Sequence, residues 1–454
     1  MNKYLISPLL LTLFLQGCGG SSSSSSPEVA VDPVEYTFSL TAQLTNDCGV
    51  VSAFTDVELL LQDETWQTLN TYKADDSGVI SFVTESQFIN YTLVAKDQQG
   101  SEAQGLNVVS FYQANSATPS HYQAQFDDLL DNSSCECVTQ DVKISHRTFA
   151  NPEQNIESSS LGFVNAAAID NQNTLFEGVK VCRAIGGDWP LHSFSVKGSD
   201  VNEKTIAAAE FIDDFSENAE GVWTLSALQV ADEVSLRMPH QAFTTNQIID
   251  NIKHFSTDVT NEDESLLIFD THNDISKAYY QSKASVTFDE IPSFFGSSVI
   301  KTHHQVISTS AAESFLVKAN EQKPAIDDRN FSEIKADGSY DYTAVSGFPM
   351  AVISFTFTTF DPTTKLLMPA KWTFYGPEQG LLAVSAPLVG YENIINIDTS
   401  VKITNVHLIN SLIANNYQDY IQYYQGGSTV KSVLDTSNDF IENINEIEIG
   451  ITLK

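Results

Sequence analysis

Basic side chains are scarce in this chain. Lysine and arginine together number 23 against 58 aspartates and glutamates, a formal net charge of −35. A field of that sign repels DNA, RNA and anionic lipid, which excludes nucleic-acid binding and keeps a protein soluble. The carboxylates are dispersed rather than gathered in a tail, so they describe a solvated surface and not an acidic arm. They also suit a salty exterior, where a Debye length under about 8 Å screens self-repulsion. After residue 18 no apolar run approaches the roughly 20 residues of a membrane-spanning helix. The closest, 348–360, alternates as a strand does. Missing too are a Gly-x-Ser-x-Gly elbow, a His-Glu-x-x-His zinc motif and a phosphate-binding glycine loop.

What is present begins at the N-terminus. Lys3 gives a positive start and residues 4–15 a short apolar run, the layout of a cleaved secretory signal. Leu15-Gln16-Gly17-Cys18 follows, then Gly19-Gly20 and six serines. This pattern resembles the lipobox of bacterial lipoproteins, with Leu15 three before the cysteine and small Gly17 directly before it. Gln16 departs from the usual small or hydroxylated residue, at a tolerant position. The resemblance implies that residues 1–17 are removed and that Cys18 carries a thioether-linked diacylglycerol and an amide-linked acyl chain. Two or more chains hold a protein stably in a lipid bilayer, where one does so marginally. Gly19 in place of an acidic residue is the pattern of lipoproteins sorted to an outer membrane. Residues 18–35 then form a Gly/Ser/Pro tether with a reach of roughly 20–25 Å.

With Cys18 lipidated, Cys48, Cys135, Cys137 and Cys182 remain. An even count outside the cytoplasm reads as two disulfides. Cys135 and Cys137 sit too close in sequence to pair comfortably with each other, so each is expected to pair with one of Cys48 and Cys182. A metal site built from the same four thiols is the rival.

A length of 454 residues suggests two or three domains, and 27 phenylalanines with 16 tyrosines favour β structure. Residues 36–115 alternate at period two, as in Tyr36, Phe38, Leu40, Ala42 and Leu44, with strands also at 57–61, 65–73 (carrying Trp66), 79–83 and 91–96. Asp75, Gly78, Ile80 and Phe82, then Tyr91-Thr92-Leu93-Val94-Ala95, resemble the carboxypeptidase regulatory-like (prealbumin-like) β-sandwich module. That resemblance implies an accessory module without catalytic residues.

Residues 116–137 read as a cysteine-pinned linker. A β-rich domain is expected over 138–330, with strands at 142–149, 176–183, 222–230, 266–270, 284–288 and 298–308. A helix capped by Thr245 covers 245–255, with Ile248, Ile249, Ile252 and Phe255 on one face. A second β-rich domain spans 331–454, with strands at 351–360, 370–375, 381–384 and 394–403. Its C-terminal amphipathic helix carries Leu408, Ile409, Leu412, Ile413, Tyr417, Tyr420, Ile421 and Tyr424. The expected fold is mainly β: an N-terminal sandwich, then one or two larger β-rich domains with a few helices. The alternative is a degenerate β-propeller over 138–454, although no fixed repeat is visible.

Three stretches offer chemistry. Alternation places Asp270, His272 and Asp274 on one side of a strand end, the nitrogen and oxygen donors of a metal set, with Thr302-His303-His304 as a supplement. Asp435-Thr436-Ser437-Asn438-Asp439 with Glu446 has calcium-loop spacing but lacks the glycine of the sharp turn, and Glu442 stands where such loops want an apolar residue. Ser298-Val299-Ile300-Lys301 matches Ser-x-x-Lys inside a strand-like run, whereas that nucleophile belongs at a helix start. No partner motif completes any of them. The sequence therefore points to a lipid-anchored binding or structural module of the cell envelope, without a cofactor beyond loosely held surface calcium. Its partner is a protein or a polysaccharide. The alternative is a surface-displayed metal-dependent hydrolase using Asp270, His272 and Asp274.

Overall fold

Alternation at period two gives Tyr36–Thr45 two unlike faces: Phe38, Leu40, Ala42 and Leu44 are buried, and the residues between them are at least partly exposed. Val51–Ala53 and Val79–Thr84 pair with it antiparallel, and Ser120–Ala124 joins in parallel. A tight turn precedes Val79–Thr84. The Asp75 carboxylate accepts the Ser77 and Val79 amides, and Gly78 takes φ +74°. A side chain at Gly78 would strike the Ala42 carbonyl at 2.3 Å. The apolar face of this small sheet packs on Val57–Gln62, Phe88–Gln98 and Gly105–Asn115, where Phe38 stacks on Phe82 and meets Tyr91 edge-on.

In the computed structural model the described residues are 34–453 except 99–104, 125–129, 155, 163, 217–220, 228, 238, 250–251, 270–277, 289–290, 294–295, 327–334, 336, 396–398, 400, 415 and 426–440. Cys18, Asp270, His272, Asp274 and the run 435–439 lie outside them. The chain is mainly β, and neither a closed barrel nor a propeller occurs among the described residues.

Thirteen strands form the main sheet. From one edge its order is Ile252–Val259, Phe243–Ile249, Ala278–Thr287, Gly296–Ser308, Ile441–Leu453, Lys402–Ser411, Met350–Phe360 and Leu367–Pro377. It continues through Gly105–Asn115, Phe88–Gln98, Val57–Gln62 and Thr68–Lys73, and Ile291–Ser293 pairs with Gly296–Ser308. Its neighbours are antiparallel apart from Leu367–Pro377 beside Gly105–Asn115. That parallel pair draws strands of the first and last sequence segments into one sheet. One face buries Phe355, Trp372, Phe374, Val406, Ile447 and Ile449 beneath segments that include Tyr340, Tyr342 and Leu388. The other carries the small sheet and the helix Tyr417–Gln425, anchored by Tyr417 and Ile421.

Between the N-terminal strands and Phe243 lies a second sandwich. Cys135–Ser145, Asn165–Asp170, Asn173–Ala184 and Val222–Ser226 make one layer, and Ile156–Ser159, His192–Ser199, Thr205–Ile212 and Gln229–Val230 the other. Val142, Ile144, Phe176, Phe194, Val196 and Trp223 fill the space between them. Both disulfides form as the cysteine spacing suggested. Cys48 bonds to Cys135, and Cys137 bonds to Cys182 directly across two antiparallel strands.

Several sequence expectations are corrected. The helix expected over 245–255 does not form among the described residues: 245–249 and 252–255 lie in the antiparallel strands Phe243–Ile249 and Ile252–Val259, where Ile249 sits opposite Ile252. The long C-terminal stripe splits, because Leu408 and Ile409 belong to the strand Lys402–Ser411 and the helix occupies only Tyr417–Gln425. Ala383–Ser385 is a short 3-10 turn where a strand was expected, and the strand expected at 394–403 begins only at Lys402. Ser120–Ala124, inside the expected linker, closes the first sheet. Trp66 precedes its strand, in a turn at φ 65°.

Candidate functional site

Three residues singled out for unrelated reasons meet on one face of the main sheet: Lys301, His303 and Glu446. Register explains the meeting. His303 on Gly296–Ser308 sits opposite Ser285 on one side and Glu446 on the other, while Glu448 sits opposite both Lys301 and His407. Residues two apart on a strand share a face, so Lys283 and Ser285, Lys301 and His303, and Glu446 and Glu448 line up together.

The side chains form a connected ladder. His303 Nε2 lies 2.9 Å from Glu448 Oε2, and its Nδ1 lies 2.7 Å from the Ser285 hydroxyl. Lys301 approaches the other Glu448 oxygen at 3.5 Å. Glu446 binds His407 Nδ1 through one oxygen and Lys283 through the other at 3.7 Å. The His303 side chain is only 7% exposed, while Ser285 is exposed. Burial pushes the His303 imidazole below its ordinary value, outweighing the Glu448 hydrogen bond, so the ring is neutral at pH 7. Burial alone would raise Glu448, but His303 and the Lys301 charge hold its carboxyl below the usual range. Glu446 is held down likewise by His407, with Lys283 and His303 assisting. An ionised Glu448 can only accept, so the proton of neutral His303 resides on Nε2. The Nδ1 lone pair then accepts from Ser285.

The other sequence candidates separate. Ser298 and Lys301 stand three apart on a strand, hence on opposite faces, so the Ser-x-x-Lys pair does not form. His304 faces away from His303. It accepts the Lys318 amide at Nδ1 and donates from Nε2 to Asn443. Glu446 lies within the strand Ile441–Leu453, bound to His407 and not in a loop. Glu442, in the same strand, is buried against the Ser411 hydroxyl. No three His, Cys, Asp or Glu among the described residues are grouped to hold a metal ion. Sequence reasoning missed Ser285, Glu448 and His407. The available signal was polar residues at alternate positions in otherwise apolar strands.

A second feature lies where the first sandwich meets the second. A cavity of about 490 Å³ is lined by Asp47, Cys48, Lys180, Cys182, Arg183 and His192, among others. The Ser160 hydroxyl accepts the Ser193 amide at 3.0 Å and lies in hydrogen-bond contact with His192 Nδ1 at 2.9 Å. Burial lowers the His192 pKa to about 4.

Compared with protein-family models, curated proteins and solved structures, the chain matches none.

Proposed function

We propose that this protein is an exported lipoprotein, held in a bacterial envelope membrane by lipid on Cys18. Its disulfide-stapled β body acts beyond the lipid surface as a binding or structural module for a protein or polysaccharide partner. One observation carries the proposal. Cys48, Cys135, Cys137 and Cys182 are all consumed in two disulfides, and the one cysteine outside these bridges is Cys18, behind its short apolar run and before six serines in the sequence. Paired cysteines belong to oxidising compartments, and a leftover cysteine at a signal end suits acylation.

Cys18→Ser tests the anchor. The variant should leave the membrane fraction or stall with its signal uncleaved. Membrane fractionation and mass identical to the parent would overturn the proposal.

A further inference from the structure

We infer that Ser285, His303 and Glu448 form a nucleophile–base–carboxylate chain that hydrolyses carboxylic esters. The geometry has the order such chemistry needs: an exposed hydroxyl 2.7 Å from a buried imidazole, whose second nitrogen lies 2.9 Å from a carboxylate. These residues come from three adjacent strands, so the sheet ladder fixes their relative positions. Glu448 is a positioning residue that acts through His303, keeping the proton on Nε2 and the Nδ1 lone pair toward Ser285.

The step balances without a cofactor. Ser285 Oγ attacks the ester carbonyl carbon while its proton passes to His303 Nδ1. Collapse of the tetrahedral intermediate breaks the bond to the alcohol oxygen, which leaves with that proton. Water then attacks the acyl-serine in the same manner, releasing the carboxylic acid and restoring Ser285. Lys283, on the same strand face two residues before Ser285, has its charge felt at His303 and supplies positive potential for the developing oxyanion. Tyr280 to Thr287 pair with Gly296–Ser308, which commits the amides facing that strand to the ladder and leaves Lys283 as the charge offered to the oxyanion. That limit favours esters, whose leaving groups depart readily, over amides. The activity is additional to the anchored module and independent of Cys18.

The test uses the full-length lipoprotein extracted in detergent, a fluorophosphonate probe and p-nitrophenyl acetate. Peptide mapping should place the phosphonate on Ser285. Ser285→Ala should abolish labelling, and since Ser285 is exposed the variant should melt with the parent. His303→Gln should slow labelling at least tenfold. Labelling should persist below pH 6.5 and fall in acid as His303 takes a proton. Glu448→Gln should lower the plateau and move that acid limb to lower pH, because Glu448 raises the His303 pKa; a merely structural glutamate would leave the limb in place. No label on Ser285, or labelling undiminished in Ser285→Ala, overturns the inference. Either result leaves the membrane anchor standing, since fractionation of Cys18→Ser reads it separately.

Discussion

Removing the Trp66 indole should loosen a contact that spans 315 residues of sequence. Trp66 is fully buried, meets Phe374 edge-on at 5.5 Å and donates from Nε1 to the Leu381 carbonyl at 2.9 Å. Its backbone is held in the left-handed region by the Asp63 carboxylate, which accepts the Thr65 and Gln67 amides. Truncating a buried tryptophan to alanine costs about 3–5 kcal/mol in lost burial and cavity formation. Trp66→Phe keeps most of the apolar volume but leaves the Leu381 carbonyl without its donor, which costs about 1–3 kcal/mol. The turn strain is common to both variants and cancels between them. Urea unfolding followed by far-ultraviolet circular dichroism, with disulfides intact, should therefore rank parent above Trp66→Phe above Trp66→Ala. Hydrogen exchange should also speed at the Leu382 amide, which donates to Gly338 beside the contact. A loss under about 1 kcal/mol for Trp66→Ala, or unchanged exchange at Leu382, would refute the claim that this indole joins the N-terminal strands to the C-terminal segment.

Two further outcomes follow from the fold. Cys48–Cys135 and Cys137–Cys182 close separations of 87 and 45 residues, so chain entropy gives about 4 to 5 kcal/mol for each; paired Cys→Ala variants should melt well below the parent, and an unchanged melt would count against structural disulfides. His192 has a folded pKa of about 4 against an ordinary 6.5, so its contribution is full above pH 6.5 and is lost as pH falls toward 4. That shift amounts to about 3 kcal/mol. His192→Gln should flatten the stability curve in this window, and an unaltered acid slope would assign the loss to other groups.

The sequence was most legible where period two ran unbroken. Phe38, Leu40, Ala42 and Leu44 declared their strand because each faces one core. At 245–255 the apolar positions also fit helical spacing, and tertiary pairing decided the matter: Phe243–Ile249 pairs with Ala278–Thr287 on one side and with the edge strand Ile252–Val259 on the other. Leu408 misled for a related reason, being buried on a strand only a few residues before a true helix begins. Ser285, His303 and Glu448 were invisible as a group because register across three strands, and not local spacing, brings them together. The two disulfides were legible because the close spacing of Cys135 and Cys137 restricted the pairings.

The anchored, exported state is the central claim, and the intact mass of protein extracted from membranes tests it most directly. The account predicts a chain that begins at Cys18, carries diacylglycerol and an additional acyl group on that residue, and gains four mass units on reduction of its two disulfides (about two hydrogens per bridge). A chain that retains Met1, or one with an unmodified Cys18 thiol, would contradict it.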